Sequence, residues 1–380
     1  MQMNKNKWET IILVLFYIFL INCNNSDSKS ELKIELLVYD SIKLKSSSLG
    51  ITDIKYSKLL LYDYFSYEIV TYDLNTKEET RFNNYGEGPD NYGYINWDYL
   101  RFYNDSTIIV IRENNLQFYS IKGALLKQIK LGSIGDNFNK FVKPIRINDS
   151  LLLLNNVMLG GTNLKEYYLE KRFLYTIVNL HDTTKKELIQ YPPKGSIQAN
   201  GVYYFEYGSS YHGVLKADSV LCFLSFNEPK VFSYNLLTQT IQDTFTLNLK
   251  NYNPYIRFFN KEYSAVEYKK AHIQNSYIYS FSIINDTMLI AYKKGYTDSE
   301  FESELQNVQD INAIPFASYL HLQEKNADSF SELLVPDSIG IFAGAMALDK
   351  LYFQRKNTML DEEHNVKCIL VAKVSIMKQN

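Results

Sequence analysis

The sequence predicts an all-β chain that forms a six-bladed β-propeller with four-stranded antiparallel blades, closed by the N-terminal strand and carrying short helical insertions. Three observations predict this fold. Tyrosine and phenylalanine are abundant (32 and 22 residues) whereas glycine and proline are few (16 and 8), which favours strands. Short apolar runs bounded by Asn, Asp, Ser and Gly are more common than segments of helical periodicity. One pattern of turn and strand also recurs along the chain.

The recurring pattern is a polar turn followed by three or four apolar residues, as at 104–106 before 108–110 and at 148–150 before 151–154. Asp and Asn suit such turns because their side chains accept hydrogen bonds from the backbone two residues on. The turn marks lie at positions 57, 105, 149, 218, 286 and 349. A second hairpin follows several marks, so each repeat holds about four strands and six repeats describe a propeller. A large β-sandwich or two all-β domains are the alternatives.

Closure of the ring is predicted to use the start of the folded chain. Residues 32–44 have a strand-like pattern and precede the first turn mark. We expect them to pair with residues 367–376, because an open ring would leave two unpaired sheet edges. Two insertions are predicted to be helical: residues 299–311, where Ser299 and Glu302 match a capping box, and residues 260–275.

The first 22 residues have the pattern of an export signal. Lys5 and Lys7 precede an apolar run of 11 residues at 11–21, too short for a bilayer span of roughly 20 residues and typical of a signal-peptide core. Cys23 follows, so the segment resembles a bacterial lipoprotein signal peptide (1–22) in which this cysteine becomes lipidated. An ordinary signal peptide or a short anchor helix is the alternative. Residues 23–31 are predicted to be a polar tether and residues 32–380 the propeller.

A glycine-rich turn carries a resemblance to a known family. Residues 84–93 read Asn-Tyr-Gly-Glu-Gly-Pro-Asp-Asn-Tyr-Gly. Together with Cys23 and the turn marks, this segment resembles exported six-bladed β-propeller lipoproteins of the Bacteroidetes, a family of unknown function. The resemblance implies the fold and a location in the cell envelope, and it implies no catalytic residue. Asn24 and Asn25 supply no clear retention acid after the cysteine, which favours the outer membrane, with its periplasmic and surface sides both open.

The numbers of charged residues, histidines and cysteines limit the kinds of partner and site that are expected. The chain has 40 basic and 42 acidic side chains, so it has no basic excess with which to neutralise phosphates, and nucleic acid is not expected as a partner. The five histidines are far apart in sequence, and neither a metal site nor a cofactor is predicted. Cys222 and Cys368 lie in apolar runs and are predicted to be small core residues, with a disulfide between them as the alternative.

Five residues are candidates for ligand binding: Glu87, Asp90, Tyr211, His212 and Arg257. Glu87 and Asp90 could face a ligand or cation at the mouth of the central channel, or could only stabilise the glycine-rich turn. Tyr211 and His212 precede the fourth turn mark, where loops of one propeller face are expected. Arg257 lies among aromatic residues, and Tyr with Arg is typical of protein interfaces and sugar-binding faces, although packing between blades would also use tyrosines.

The function predicted from these features is that of a lipid-anchored envelope propeller, a non-catalytic binding or scaffold module for a protein, peptide or glycan. Activity as an enzyme is less favoured because no catalytic motif is assembled in the sequence. The alternative is an envelope lyase or hydrolase whose site at the channel mouth would bring together Glu87, Arg257 and His212. A third hypothesis is a structural subunit of an outer-membrane complex.

Overall fold

Six antiparallel sheets of four strands each, arranged around one axis, form the body of the protein. The computed structural model describes residues 33–95, 99–112, 115–131, 139–158, 172–191, 193–196, 203–204, 211–217, 219–225, 228–253, 257–258, 265–308, 314–324, 330–357 and 365–377. The innermost strands of neighbouring blades contact one another around the axis. The predicted all-β six-bladed propeller is therefore confirmed.

The first strand along the chain, β1 (Lys33–Lys45), belongs to the last blade. Blades 1, 2 and 3 each use four consecutive strands, ordered from the axis outwards. These are β2 (Leu49–Lys55), β3 (Lys58–Asp63), β4 (Ile69–Asp73) and β5 (Glu79–Phe82); β6 (Leu100–Phe102), β7 (Thr107–Arg112), β8 (Asn115–Ser120) and β9 (Leu125–Lys130); and β10 (Asn139–Arg146), β11 (Leu151–Met158), β12 (Arg172–Asn179) and β13 (Lys185–Tyr191).

The second half of the chain adds three blades, one small ribbon and two helices. In chain order the elements are β14 (Tyr203–Tyr204), β15 (Tyr211–Ala217), β16 (Val220–Ser225), β17 (Lys230–Asn235), β18 (Thr240–Thr246), β19 (Arg257–Phe258), α1 (Ala265–Gln274), β20 (Tyr277–Ile284), β21 (Thr287–Lys293), α2 (Asp298–Val308), β22 (Ser318–Glu324), β23 (Phe330–Val335), β24 (Ile341–Ala347), β25 (Lys350–Gln354) and β26 (Val366–Met377). Blade 4 is β15–β18, blade 5 is β20–β23, and blade 6 is β24–β26 with β1 outermost. The short strands β14 and β19 pair with each other.

The ring closes through β1, as the sequence predicts. This strand pairs antiparallel with β26 from Lys33 opposite Met377 to Lys45 opposite Val366, with one register shift between Val38 and Asp40. Leu44 is 2% exposed and packs with residues of blades 1 and 6. The first and last strands of the propeller are therefore neighbours in one sheet. The outer side of β26 is paired with β1 and is not an exposed edge.

The five predicted turn marks that fall within the described residues occupy one structural position, the turn between the innermost and the second strand of their blades. The side-chain oxygen of Asn148 accepts hydrogen bonds from the backbone N–H groups of Ser150 and Leu151, both at 2.9 Å. Asn104 accepts one from Ser106 at 3.0 Å. These are the local contacts that favour Asn and Asp in turns. The mark at Asp218 lies outside the described residues.

Strand direction alternates within each blade, so the connections separate onto two faces. We call the side with the turns between first and second strands the turn face. The opposite side, the insertion face, holds the connections between second and third strands and those between blades. The long connections lie there, among them 83–99 between blades 1 and 2, 247–276 with α1 and 294–317 with α2. Both helices of the described residues, α1 and α2, therefore lie on the insertion face.

Both predicted helical insertions are confirmed, but the predicted capping box is wrong by two residues. The hydroxyl of Thr297 accepts a hydrogen bond from the N–H of Glu300 at 3.3 Å, and the carboxylate of Glu300 accepts one from the N–H of Thr297 at 2.8 Å. Helix α2 therefore begins just after Thr297, and the box is Thr297–Glu300 instead of Ser299–Glu302. Among the described residues, no helix is both long and apolar enough to cross a membrane.

The hydrophobic core is divided into clusters between neighbouring blades. Between blades 3 and 4, for example, Leu153, Tyr175 and Phe223 are buried in one cluster. Because each blade buries both of its faces in this way, the strands show nearly continuous apolar runs. Cys222 and Cys368 are buried in blades 4 and 6 and are not joined by a disulfide, so they pack as small core residues.

Candidate functional site

A cavity of about 590 Å³ lies on the propeller axis, enclosed by the innermost strands of all six blades. It extends to Lys55, Arg146 and Ile284, which lie at the ends of their strands on the turn face. Cavities that hold small molecules have volumes of roughly 300–1,000 Å³. The axial cavity is therefore large enough for a ligand of one or two sugar rings or a short peptide end.

Bulges in the innermost strands set which side chains face this cavity. The register shifts between Val142 and Ile145 in β10 and between Ile278 and Ser280 in β20, and β2, β15 and β24 have similar shifts. A bulge adds a residue to one strand and turns the following side chains. After the bulge in β20, Phe281 packs between blades 4 and 5, whereas Ser280 and Ser282 lie on the other side of the strand. All three residues are part of the cavity lining.

Three nitrogen-bearing side chains from consecutive blades line the cavity, and we call them the basic cluster: Arg101 of β6, Lys143 of β10 and His212 of β15. Lys143 Nζ lies 3.4 Å from His212 Nδ1, and His212 Nε2 lies 3.1 Å from the carbonyl oxygen of Ile278. The Nε2–H therefore donates to that carbonyl, and Nδ1 presents its lone pair to the ammonium group.

The surroundings of His212 keep its ring neutral. Burial among the inner strands lowers the pKa of His212 well below its ordinary value, and the positive charges of Lys143 and Arg101 lower it further, whereas the hydrogen bond to the Ile278 carbonyl opposes this shift. His212 therefore lies in the cavity as a neutral ring close to two cationic side chains.

The charged side chains that line the cavity are Lys55, Arg101, Lys143, Arg146 and Asp53. Arg146 forms an ion pair with Asp149 and lies 5.0 Å from the ring centre of Tyr103, so its charge is balanced at the rim. The lining therefore has four basic side chains and one carboxylate. The carboxylate of Asp53 accepts hydrogen bonds from the N–H groups of Phe102 at 2.9 Å and Ile54 at 3.0 Å, which ties blade 1 to blade 2.

The opposite wall, from blades 5 and 6, is uncharged and mixes hydroxyl groups with apolar side chains. Its lining residues are Tyr279, Ser280, Phe281, Ser282, Ile283, Ile284, Ala343, Gly344, Ala345 and Met346. Burial raises the pKa of Tyr279 to about 12, so its hydroxyl keeps its proton at neutral pH. The cavity is thus asymmetric, with positive charge on the side of blades 2 to 4 and a neutral wall on the side of blades 5 and 6.

Of the four predicted candidates whose side chains are described, His212 alone lines the cavity. Tyr211, the preceding residue of β15, points to the other side of the strand and is 1% exposed. Its ring packs against Tyr191 and Phe223, and its carbonyl oxygen accepts a hydrogen bond from the Asn155 amide at 2.5 Å. The structure therefore places Tyr211 in the core between blades 3 and 4.

The glycine-rich turn lies on the insertion face, away from the cavity lining. Glu87 and Asp90 are exposed there, and the carbonyl oxygen of Asp90 accepts a hydrogen bond from the Tyr119 hydroxyl at 3.0 Å. Arg257 lies in β19 opposite Tyr204, in a connection of the same face, and its side chain is outside the described residues. Within the described side chains, the structure does not bring Glu87 and His212 together.

Sequence reasoning did not identify Arg101 and Lys143. A usable signal was nonetheless present, because Arg101, Lys143 and His212 precede the turn marks at 105, 149 and 218 by four, six and six residues. The strand that runs into each mark is the innermost strand, so charged residues at this distance before a mark face the axis. Among the described residues, no three His, Cys, Asp or Glu side chains form a group that could hold a metal ion.

Comparisons with known proteins are informative at the level of structure. No family model matches the chain, and no curated protein matches it. A DUF4221 family protein from Bacteroides vulgatus superposes with a TM-score of 0.66 at 13% identity, over 92% of this chain and 100% of that one. A Bacteroides fragilis protein named as exported superposes with a TM-score of 0.53 at 13% identity, over 92% and 97%. The chain shares their fold. The predicted resemblance to Bacteroidetes propellers is thereby confirmed in structure.

Proposed function

We propose that this protein is a lipid-anchored propeller of the cell envelope that binds a peptide or glycan end in its axial cavity without transforming it. The observation that carries the proposal is the cavity itself, which is about 590 Å³ in volume and receives side chains from every blade. A cavity of this size admits the end of a chain and excludes a folded domain. Binding along the axis also leaves the outer strands free for contacts with other envelope proteins.

The polar groups of the cavity support binding rather than catalysis. General acid–base catalysis needs a group that exchanges a proton near the working pH. The Nε2–H of His212 is held by the Ile278 carbonyl, and its Nδ1 faces Lys143. The carboxylate of Asp53 accepts two backbone N–H groups and so acts as a link between blades. These two side chains have structural partners that a proton-transfer role would have to displace.

The location proposed is the outer membrane, with Cys23 as the lipid-modified residue. The apolar run at 11–21 and the adjacent cysteine support it, as does the Bacteroides fragilis neighbour that is named as exported. A tether of nine residues at 23–31 reaches about 30 Å when extended. It would join the membrane to β1, the outermost strand of blade 6, and would leave the axial cavity open.

Lipidation is tested by metabolic labelling of the full chain with radioactive palmitate. Wild type is expected to incorporate label and to sediment with membranes, and Cys23→Ala is expected to lose both properties. Cys222→Ala is the matched control, since it removes a cysteine that is buried in blade 4. Label that persists in Cys23→Ala would contradict the anchor.

Binding in the cavity is tested by blocking it. Ser282→Phe fills the axis from blade 5, and Thr238→Phe adds the same side chain at an exposed turn of blade 4. Saturation-transfer NMR of the full chain is recorded against a panel of disaccharides and tripeptides. We expect at least one member to bind to wild type and Thr238→Phe but not to Ser282→Phe, and to be recovered unchanged. Chemical conversion of the ligand would support the enzyme alternative, and binding that survives Ser282→Phe would overturn the proposal.

A further inference from the structure

We infer that the axial cavity selects small ligands that carry a compact oxyanion, namely a carboxylate, sulfate or phosphate group, and that Arg101 and Lys143 form the subsite for that group, with His212 holding Lys143 in position. The inference rests on the proposed function, because it names the ligand class of the same cavity.

Basic side chains outnumber acidic ones in the cavity lining. The charged side chains there are four basic groups, Lys55, Arg101, Lys143 and Arg146, and one carboxylate, Asp53. A cleft with low-dielectric walls concentrates the field of such groups on whatever enters it. This excess of basic side chains is matched best by a ligand with one or two negative charges.

The basic cluster has a defined geometry on one side of the cavity. Its three members come from adjacent blades 2, 3 and 4 and so occupy one side of the axis. Lys143 is held 3.4 Å from His212 Nδ1, and the ring is held by the Ile278 carbonyl at 3.1 Å. The ammonium group therefore has a defined position at the cavity wall before a ligand arrives, which lowers the cost of ordering it on binding.

The opposite wall is neutral. Blades 5 and 6 contribute the hydroxyl groups of Ser280 and Ser282 beside apolar side chains such as Phe281 and Met346. A sugar acid or sugar ester would place its anionic group on the basic cluster and its neutral hydroxylated ring against these serines. The two walls thus match the two halves of an anionic sugar.

A proton readout follows from the same geometry. An anion at the basic cluster would offset the positive charges of Lys143 on β10 and Arg101 on β6, which act together with burial on His212. The pKa of His212 should therefore rise when the subsite fills. A ligand bound elsewhere on the propeller would leave the titration of His212 unchanged.

The experiment compares four probes with one carbon framework: glucose, glucuronate, glucose 6-sulfate and glucose 6-phosphate. Isothermal titration calorimetry is performed on the full chain, on Lys143→Gln and on the matched control Lys216→Gln. Lys216 is a residue of β15, the strand that carries His212. It pairs with Asp286 and is not part of the cavity lining. Thermal unfolding of each variant verifies that it is folded.

We expect at least one anionic probe to bind about tenfold or more tightly than glucose, and Lys143→Gln to lose about that factor, as for a lost charge-assisted hydrogen bond. Lys216→Gln should keep the wild-type affinity. The anionic probe that binds best identifies the oxyanion. Equal binding of glucose and all anionic probes, undiminished binding to Lys143→Gln, or no binding of any anionic probe at about 10 mM would each overturn the inference.

These outcomes separate the inference from the proposed function. If glucose binds as well as the anionic probes and Ser282→Phe abolishes that binding, the cavity is a binding site and the oxyanion subsite is wrong. If binding of every probe persists in Ser282→Phe, the cavity is not the site and the proposed function itself fails.

Discussion

His321 and Glu332 form a buried pair in blade 5. The Nδ1 atom of His321 lies 3.5 Å from a carboxylate oxygen of Glu332, and the two side chains are 0% and 3% exposed. Glu332 also accepts hydrogen bonds from the Asn251 amide at 2.7 Å and from the backbone N–H of Lys250 at 3.3 Å. The pair therefore fastens the connection between blades 4 and 5 to the outer strands of blade 5.

Removal of this carboxylate should weaken the fold substantially. Glu332→Ala removes the acceptor of the Asn251 amide and leaves the buried Nδ1 of His321 without the carboxylate beside it, so we expect a loss of about 3 kcal/mol in the free energy of unfolding. Urea unfolding of the full chain measures it. Glu302→Ala is the control, because Glu302 pairs with Lys270 on an exposed helix surface and should cost less than about 1 kcal/mol. Equal losses in the two variants would contradict the structural role.

The same carboxylate predicts a dependence on pH. Burial acts to raise the pKa of Glu332, but hydrogen bonds from His321, Tyr292 and Asn251 outweigh it and hold the pKa below the ordinary value of 4.5. The unfolded chain therefore binds the proton first as pH falls, and the stabilisation is present above about pH 4.5 and lost as pH drops through the folded pKa. The difference in unfolding free energy between wild type and Glu332→Gln should shrink between pH 6 and about pH 3. A difference that grows on acidification would refute this sign.

Two leucines of β1 test whether this strand closes the ring. Leu44 of β1 is 2% exposed between blades 6 and 1, whereas Leu37 of the same strand is 38% exposed. Leu44→Ala should cost about 3 kcal/mol through lost burial and a cavity, and Leu37→Ala less than about 1 kcal/mol. Urea unfolding with a single shifted transition is expected for Leu44→Ala, because the strand belongs to the closed ring. Similar costs at both positions would contradict the role of β1 in closure.

A comparison of Gly123 with Gly195 distinguishes the cost of backbone strain from the cost of a steric clash. Gly123 (φ +90°) and Gly195 (φ +88°) have nearly the same dihedral angle. A Cβ atom at Gly123 would lie 2.6 Å from the Phe82 ring, whereas one at Gly195 would meet nothing within 4 Å. Gly195→Ala should therefore cost about 1 kcal/mol from strain alone, and Gly123→Ala about 2 kcal/mol or more. Thermal and urea unfolding measure both, and an equal cost would show that Phe82 moves aside freely.

The basic cluster predicts the titration of His212 without ligand. NMR of the ring should show it neutral at pH 6.5, because burial, Lys143 and Arg101 lower its pKa. Lys143→Gln removes the nearer positive charge and should raise that pKa, whereas Lys216→Gln should not change it. A His212 signal that titrates identically in wild type and Lys143→Gln would contradict the electrostatic description of the cavity.

The sequence predicts local features and closure well, and predicts the site poorly, for physical reasons. Turns such as that at Asn148 depend on side chains binding nearby backbone, and this chemistry is visible in sequence. The direction of Lys143 instead depends on a bulge between Val142 and Ile145, which arises from strand pairing. The glycine-rich turn indicates an unusual backbone, with φ of +140° at Gly86, but it does not indicate the face on which the turn lies.

The most direct test of the central claim is to follow the ring signals of His212 by NMR while the full chain is titrated with glucuronate, glucose 6-sulfate or glucose 6-phosphate. A probe that binds in calorimetry is expected to raise the pKa of His212. Ser282→Phe should abolish both the binding and this rise in pKa, and Thr238→Phe should preserve them. Saturable binding that leaves the His212 titration unchanged would place the ligand outside the axial cavity and contradict the account.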